Sequence, residues 1–295
     1  MTSIFPLGDS PGTDDADRSL VIRASAGDRE ALEDLVRRHQ AWIYNIAIRM
    51  LAHPQDAEDA TQEILIKALT RLSSFEGRSS FRTWLYRITV NHILNMKRGR
   101  LEPETLTFSC YAHGLDSTPD LDPPDEASVP VDVRLLVDEA RISCTSGMLL
   151  CLDRAQRLVY ILGEIFEVSD VFGAELLDIS RENFRQRLAR ARRDLHNFMN
   201  DKCGLVNASN PCRCAKKTRG FMEAGYLNPT NLLFARERVR QVRDVLPQTS
   251  RAIAALDEAC GRIYREHPFY DSPDVVPALR RLIDSTEFRR TFDLS

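Results

Sequence analysis

Apolar residues recur at helical spacing along most of the chain, and the alternation typical of strands is almost absent. The first series runs from Leu32 to Met50 and follows Asp28, a residue type that caps helices. Four further helical segments are expected at residues 55–72, 153–167, 170–177 and 181–197. Apolar residues at 81, 84, 85 and 88 also stand at helical spacing, and amphipathic spacing returns after residue 230. The pattern predicts an all-α fold.

Charge divides these helices into domains. The chain has 295 residues, enough for about two domains, and a net charge of −3 that argues at first against a nucleic-acid partner. Residues 101–132 carry eight carboxylates, several prolines and no Lys or Arg, which predicts a flexible acidic linker. The expected organisation is a disordered acidic tail (1–19), two helical domains (20–100 and 133–202) around that linker, a basic loop with cysteines (203–229) and a helical extension (230–295).

The predicted helix at 55–72 has an acidic side. Asp56, Asp59 and Glu63 lie opposite its apolar residues, with Gln62 at the margin. Such a face is most often a solvated helix surface. A docking site for a basic protein partner is the alternative.

Residues 77–100 combine aromatic side chains with six basic residues and no acidic one. Arg and Lys neutralise phosphates while aromatic faces stack unpaired bases, so the segment suits single-stranded nucleic acid. Trp84 lies at helical spacing with apolar neighbours, which favours a place in the core. Phe75 stands in a loop beside glycine, where we expect it to be exposed.

The spacing from 153 to 197 predicts a helix-turn-helix in which Ser180 caps the second helix. Phe184, Leu188, Ala191 and Leu195 share the side that would face inward. The stretch 181–193 carries six Arg against one Glu, although the domain around it is neutral. Arg and Gln on its outward side suit base edges and phosphates in the major groove, whereas a solvated surface helix is the alternative reading.

The order of three motifs resembles a bacterial RNA polymerase sigma factor of the extracytoplasmic-function (ECF) group in the sigma-70 family. They are the runs DAEDATQE at 56–63, FRTWLYRI at 81–88 with Asn91 and His92, and RLARAR at 187–192. The resemblance covers about residues 20–200 and implies sigma regions 2 and 4 joined by a linker. It also implies a protein without enzymatic activity that binds core RNA polymerase and promoter DNA in the cytoplasm.

The resemblance assigns candidate residues to three interfaces. For the polymerase clamp helices of the β′ subunit they are Asp56, Asp59, Gln62 and Glu63. For the promoter minus-10 element they are Phe75, Arg78, Arg82, Arg87, Asn91, Asn95, Lys97 and Arg98. For the minus-35 element they are Arg181, Glu182, Arg185, Gln186, Arg190 and Arg193. The polymerase β flap is a further implied contact, and an anti-sigma factor is left open.

Two features depart from this family pattern near the turn. Residues 169–174 replace the usual Glu-Ile-Ala helix start, and Asn183-Phe184 stands where Thr-Val is common.

The acidic linker over 101–132 fits two roles equally well. It can mimic nucleic acid in a basic polymerase channel, or it can be a plain flexible tether.

The seven cysteines, in a chain without a visible export signal, do not indicate a disulfide framework. His196, Cys203, Cys212 and Cys214 are candidate ligands for zinc, with inert or redox-sensitive thiols as the alternative. The basic residues at 213, 216 and 217 would lower the pKa of these thiols.

Residues 230–295 are expected to form a small helical unit that packs on the two domains and regulates access to polymerase or DNA. A helix-turn-helix regulator that is not a polymerase subunit is the alternative function. It leaves the acidic face, the basic-aromatic segment and the linker without a role. No phosphate-binding glycine loop or nucleophile motif favours an enzyme, and no apolar run is long enough to insert in a membrane.

Overall fold

The computed structural model describes residues 11–96, 106–235 and 255–284, and its regular structure there is helical, as the apolar spacing predicts. The helices are α1 (Pro11–Ser25), α2 (Arg29–Leu51), α3 (Pro54–Thr70), α4 (Phe81–Asn95), α5 (Phe108–Ser117), α6 (Val133–Leu150), α7 (Arg154–Tyr160), α8 (Asp170–Leu177), α9 (Arg181–Lys202), α10 (Cys214–Glu223), α11 (Ala255–Arg265) and α12 (Val276–Asp284). Short 3₁₀ turns cover Leu72–Ser74 and Glu126–Ser128, and α7 continues into a π-helical turn over Ile161–Ile165. None of the described helices is both long enough and apolar enough to cross a membrane.

Two predicted helix starts are confirmed by their capping bonds. The Asp28 carboxylate accepts the backbone N–H groups of Glu30 and Ala31 at 3.0 and 3.1 Å. The Ser180 hydroxyl accepts the backbone N–H of Asn183 at 3.1 Å. Because each bond satisfies a donor that a helix end leaves unpaired, local sequence is enough to fix these boundaries.

The disordered acidic tail predicted over 1–19 is wrong for residues 11–19, which lie in α1. Asp17 is buried there, and its carboxylate contacts Arg38 Nε at 2.7 Å and His39 Nε2 at 3.1 Å. Burial raises the pKa of Asp17, but the hydrogen bonds and charges of His39 and Arg38 outweigh it and lower the pKa overall. Asp17 therefore holds α1 against α2 through these two basic partners. Residues 1–10 lie outside the described part of the chain.

The predicted flexible linker over 101–132 contains a helix, α5, so the expectation of an extended chain is wrong there. Thr107 caps α5 by accepting the N–H of Cys110 at 3.2 Å. The Tyr111 hydroxyl donates to the Cys144 carbonyl on α6 at 2.7 Å, and Phe108 packs against Phe198 on α9 with ring centroids 5.0 Å apart. These aromatic residues give the acidic segment a surface to pack on. Residues 101–105 are not among those described.

The two predicted domains pack directly against each other. We call α1–α4 the N-terminal unit and α6–α9 the helix-turn-helix unit; their buried apolar residues form one continuous core. Trp42 on α2 packs against Phe166, with ring centroids 5.1 Å apart. The buried Arg157 on α7 donates to the Met50 carbonyl at the end of α2 at 2.6 Å. In this arrangement, the helix-turn-helix unit is docked on the N-terminal unit.

The predicted helix-turn-helix is confirmed as α8, a turn at 178–180 and α9. Phe184, Ala191 and Leu195 face inward, as predicted, with Leu188 partly buried beside them. The Phe184 ring lies so close to Gly173 that a Cβ at position 173 would be 2.4 Å from it. The two departures from the family pattern therefore meet in the structure, because the large ring needs glycine opposite it.

Candidate functional site

The acidic side of α3 faces outward, as predicted. Asp59 and Glu63 are exposed, whereas Asp56 and Gln62 are only partly exposed. Asp56 lies in the first turn of the helix, where its carboxylate is 3.3 Å from His53 Nδ1. A carboxylate in the first turn is favourable because the helix dipole is positive there. We call these four residues the acidic face; three of them are carboxylates, so this side of the helix carries negative charge.

The acidic face borders the buried His92 of α4. His92 Nδ1 is 2.6 Å from Lys67 Nζ, and its Nε2 is 3.5 Å from the Glu63 carboxylate. Burial and the Lys67 charge lower the pKa of His92 below its ordinary value, against the opposing effect of Glu63. A neutral imidazole is therefore favoured at this end of α4.

Phe75 lies in a cluster of three aromatic rings. Its ring centroid is 5.8 Å from that of Phe81 and 5.4 Å from that of Trp84. Phe75 and Trp84 are both partly buried. Phe75 is therefore less exposed than predicted, and Trp84 is not a fully buried core residue. Both rings keep an accessible edge at the start of α4.

The basic residues of α4 have different environments. Arg78, before the helix, is exposed and pairs with Glu76. Arg82 is 4% exposed, with its guanidinium 5.5 Å from the ring centroid of Phe172 on α8. Arg87 donates to the Glu175 carbonyl at 3.1 Å, and its Nη2 lies 3.8 Å from the Glu175 carboxylate.

The prediction that Arg82 is available to DNA is therefore wrong for this arrangement, because α8 covers it. That contact could not be read from residues 77–100 alone. Asn91 and Asn95 remain exposed, and Asn95 Nδ2 donates to the Asn91 carbonyl at 2.7 Å. Lys97 and Arg98 lie outside the described residues.

The predicted outward side of α9 is exposed in full. It carries Arg181, Glu182, Arg185, Gln186, Arg190 and Arg193. Asp170 at the start of α8 pairs with Arg181 and Arg185, and Gln186 donates to Glu182 at 3.0 Å. Hydrogen bonding to Arg185 lowers the pKa of Asp170. We call these six residues the α9 arc.

Arg192 has a structural contact that the sequence did not predict. It donates from Nε to the buried Glu164 carboxylate at 2.6 Å, so it is not available as a phosphate contact. Arg154 and Arg157 on α7 were also missed; they donate to carbonyls at the C-terminal ends of α4 and α2. The sequence signal that could have indicated a buried ion pair was a charged residue inside an apolar run, such as Glu164.

The zinc site predicted from His196 and three cysteines is not formed. His196 is buried, and its two ring nitrogens lie 2.8 Å from the Tyr160 hydroxyl and 2.7 Å from an Asp257 carboxylate oxygen. In the part of the chain that the structure describes, no cluster of His, Cys, Asp or Glu is arranged to hold a metal ion. One imidazole nitrogen thus contacts α7 and the other contacts α11, so both already have partners.

The thiols also differ from the prediction that neighbouring basic residues lower their pKa values. Burial raises the pKa of Cys214 to about 12 and raises that of Cys212 as well. Lys217 is buried, and its ammonium group donates to the Leu115 and Thr118 carbonyls. Desolvation therefore outweighs the basic charges at Cys212 and Cys214, and it favours the protonated form of these two thiols.

Comparisons with known proteins show which chains this one is similar to. The family description Sigma-70 region 2 matches residues 35–101. RNA polymerase sigma factor YlaC of Bacillus subtilis is 33% identical over 171 residues, which cover 58% of this chain and 93% of that protein. The ECF RNA polymerase sigma-E factor of Haemophilus influenzae is 30% identical over 186 residues, which cover 61% and 94%. A solved structure, "Structure of CnrH in complex with the cytosolic domain of CnrY", aligns at 26% identity and a TM-score of 0.43, covering 63% of this chain and 98% of that one.

These relatives define the class as bacterial RNA polymerase sigma factors, which direct transcription initiation and are not enzymes. Within that class, the chain belongs to the ECF sigma factors. It binds core RNA polymerase and promoter DNA as sigma factors do. The helix-turn-helix regulator acting outside polymerase is not favoured.

Proposed function

We propose that the acidic face of α3 is the surface with which this sigma factor docks on core RNA polymerase, on the clamp helices of the β′ subunit. The observation that carries the proposal is the outward position of Asp59 and Glu63 on one side of a helix whose other side is buried. Exposed carboxylates attract a basic partner and speed its association. This proposal gives the acidic face a role that a solvated surface helix would not have.

The minus-10 element is proposed to contact the start and the exposed side of α4. Asn91 and Asn95 offer amide groups to an unstacked base, and the partly exposed rings of Phe75 and Trp84 offer a stacking surface. Arg78 is free to approach phosphates by breaking its surface pair with Glu76. Arg82 and Arg87 join this surface only after α8 has moved away.

The α9 arc is proposed to read the minus-35 element in the major groove, as recognition helices do. Gln186 is suited to adenine, Arg185 to guanine, and Arg190 and Arg193 to phosphates. The acidic stretch up to residue 132 is proposed to follow a basic channel of the polymerase, with contacts to the β flap from the helix-turn-helix unit. With these interfaces, the protein is proposed to act where polymerase acts, in the cytoplasm.

Reversing the charge of the acidic face is the first test. The double variant Asp59→Lys, Glu63→Lys should bind purified core RNA polymerase about 100-fold more weakly than the wild type, because two attractions become repulsions. The measurement is a titration of core polymerase into fluorescently labelled protein. Glu223→Lys, an exposed carboxylate on α10, is the matched control and should bind normally. Equal affinity of the double variant and this control contradicts docking through α3.

The second test changes the α9 arc. Gln186→Ala should lower run-off transcription from the protein's own promoter. It should also reduce the ratio of transcription from that promoter to transcription from a promoter with a mutated minus-35 element. A lost bidentate base contact corresponds to a loss of about 5- to 150-fold in discrimination. Arg190→Ala should instead weaken binding to both promoters alike, as expected of a phosphate contact. Unchanged discrimination in Gln186→Ala excludes this residue from base readout.

A further inference from the structure

Residues 255–284 run from the helix-turn-helix unit to the N-terminal unit, and we call this segment the clasp. It consists of α11, a connecting stretch over 266–275, and α12. Its buried side chains belong to the same apolar core as the two units that it contacts. They are Cys260, Ile263, Tyr264, Phe269, Val275, Val276 and Leu279.

The connecting stretch is hydrogen-bonded to α2. Asn45 pairs with the backbone of Tyr270 in both directions: Nδ2 donates to its carbonyl at 2.7 Å and Oδ1 accepts its N–H at 3.0 Å. The buried Arg49 donates to the Pro268 carbonyl at 2.8 Å. Backbone groups of the clasp therefore have buried, polar partners on the N-terminal unit, which makes separation costly.

An aromatic contact and an ion pair add to these bonds. The Phe269 ring lies 4.9 Å from that of Trp42, which also contacts Phe166 of the helix-turn-helix unit. On the surface, Arg280 of α12 forms a two-pronged ion pair with Glu33 of α2. Trp42 is thus covered from both sides, once by each neighbour.

On the helix-turn-helix unit, the clasp contacts the buried Glu164. Arg265 of α11 lies 3.4 Å from this carboxylate, which Arg192 of α9 also contacts. Asp257 contacts His196 on α9 at 2.7 Å. A Cβ at Gly261 would lie 2.5 Å from Glu164 Oε1, so a larger residue would force the Glu164 side chain to shift. The fit is specific to α11 and α9.

The segment before the clasp is held as well. Glu139 is buried on α6 and accepts the backbone N–H groups of Leu233, Phe234 and Ala235 at 2.7, 2.9 and 2.5 Å. The Tyr270 hydroxyl donates to the Phe234 carbonyl at 3.1 Å. The chain on both sides of 236–254 is therefore fixed to the same body.

In the arrangement that the clasp spans, part of α4 lies against α8, whereas Asn91 and Asn95 stay exposed. Arg82 lies under Phe172, and Arg87 is bonded to Glu175, both on α8. Arg154 of α7 donates to the Met96 carbonyl at the end of α4 at 2.5 Å. A promoter strand cannot reach Arg82 while α8 occupies this place.

We propose that the clasp is an intramolecular partner that holds the helix-turn-helix unit on α4 and keeps the sigma factor in a closed, idle form. The part of α4 that is covered lies under α8, and residues 255–284 of this chain are the segment that holds α8 and its unit there. Core polymerase binds the open form more tightly, because the two units must separate for α3 to dock on the clamp helices while the helix-turn-helix unit reaches the β flap; the same separation frees the covered part of α4. The inference rests on the proposed function, because it assumes that α4 and α3 serve promoter and polymerase.

A binding-competent form that is only partly populated reduces the apparent affinity by its fraction. Weakening the clasp must therefore tighten binding to core polymerase, whereas loss of a structural support would leave it unchanged or weaken it. The expected gain in affinity for core polymerase is opposite to the loss of function that removal of a packed side chain ordinarily causes.

The test is Phe269→Ala in the full chain. We expect about tenfold tighter binding to purified core polymerase, since a small shift toward the open form multiplies the competent fraction. In the free variant, small-angle scattering should show a larger radius of gyration than in the wild type. Tryptophan emission should move to longer wavelength, because Trp42 becomes exposed to solvent. Arg262→Ala, an exposed position on α11, is the matched control and should behave like the wild type.

Arg280→Ala is the second variant, because it removes only a surface ion pair and should leave the fold intact. It should shift core binding in the same direction, by about twofold, as a weak surface pair does. The proposal is overturned if both variants bind core polymerase with unchanged affinity, or if either variant is folded and binds it more weakly. If the wild type and every variant fail to bind core polymerase, the proposed function has failed instead.

Discussion

Arg157→Met should lower the free energy of unfolding by about 3–5 kcal/mol, since buried carbonyls lose their donor. The Arg157 side chain is buried and donates to four carbonyl groups at 2.6–3.1 Å. These belong to Met50, Leu149, Leu150 and Leu152. Methionine fills similar space but donates nothing, so the ends of α2 and α6 lose their partner.

Urea denaturation followed by circular dichroism measures this effect. Arg219→Met, at an exposed position on α10, is the matched control and should change stability by less than about 0.5 kcal/mol. If Arg157→Met lowers the free energy of unfolding by less than about 1 kcal/mol, water can replace the guanidinium as the hydrogen-bond donor to these carbonyls. The docked arrangement of the two units would then not depend on it.

The second large effect is expected for Trp42→Ala, at about 3–5 kcal/mol of unfolding free energy. Trp42 is 1% exposed and packs between Phe166 of the helix-turn-helix unit and Phe269 of the clasp. Its removal leaves a cavity at the point where three parts of the chain meet. The same denaturation experiment applies.

Trp42→Phe is the comparison for this position and should cost less, because one aromatic ring remains between the two neighbours. A loss of cooperativity in Trp42→Ala, with two separate unfolding transitions, would show that the units unfold independently once this contact is gone. Equal stability of the two variants would contradict the packing described for Trp42.

Local features of the fold could be predicted from the sequence because they depend on residues close in the chain. Asp28 and Ser180 cap helices through bonds that span three residues, and the inward positions of α9 follow the helical period. The exposed α9 arc follows from the same period. These features do not depend on how the units pack together.

Contacts between distant segments could not be predicted. Arg82 was counted as basic surface, but Phe172, 90 positions away, covers it. His196 is a candidate metal ligand only because it stands near cysteines in the chain, whereas its partners in the fold are Tyr160 and Asp257. The acidic residues before position 20 suggest a disordered tail, but one of them, Asp17, contacts Arg38 and His39, which stand more than 20 positions away.

Run-off transcription with purified bacterial core RNA polymerase tests the central claim most directly. The template is the DNA upstream of the protein's own gene, with a minus-10 mutant as the control, and the reaction compares core alone with core plus the full chain. The account predicts a transcript of defined length that requires the protein, disappears with the minus-10 mutant and is lost in Asp59→Lys, Glu63→Lys. A protein that binds neither core polymerase nor promoter, and gives no specific transcript from any upstream template, contradicts it.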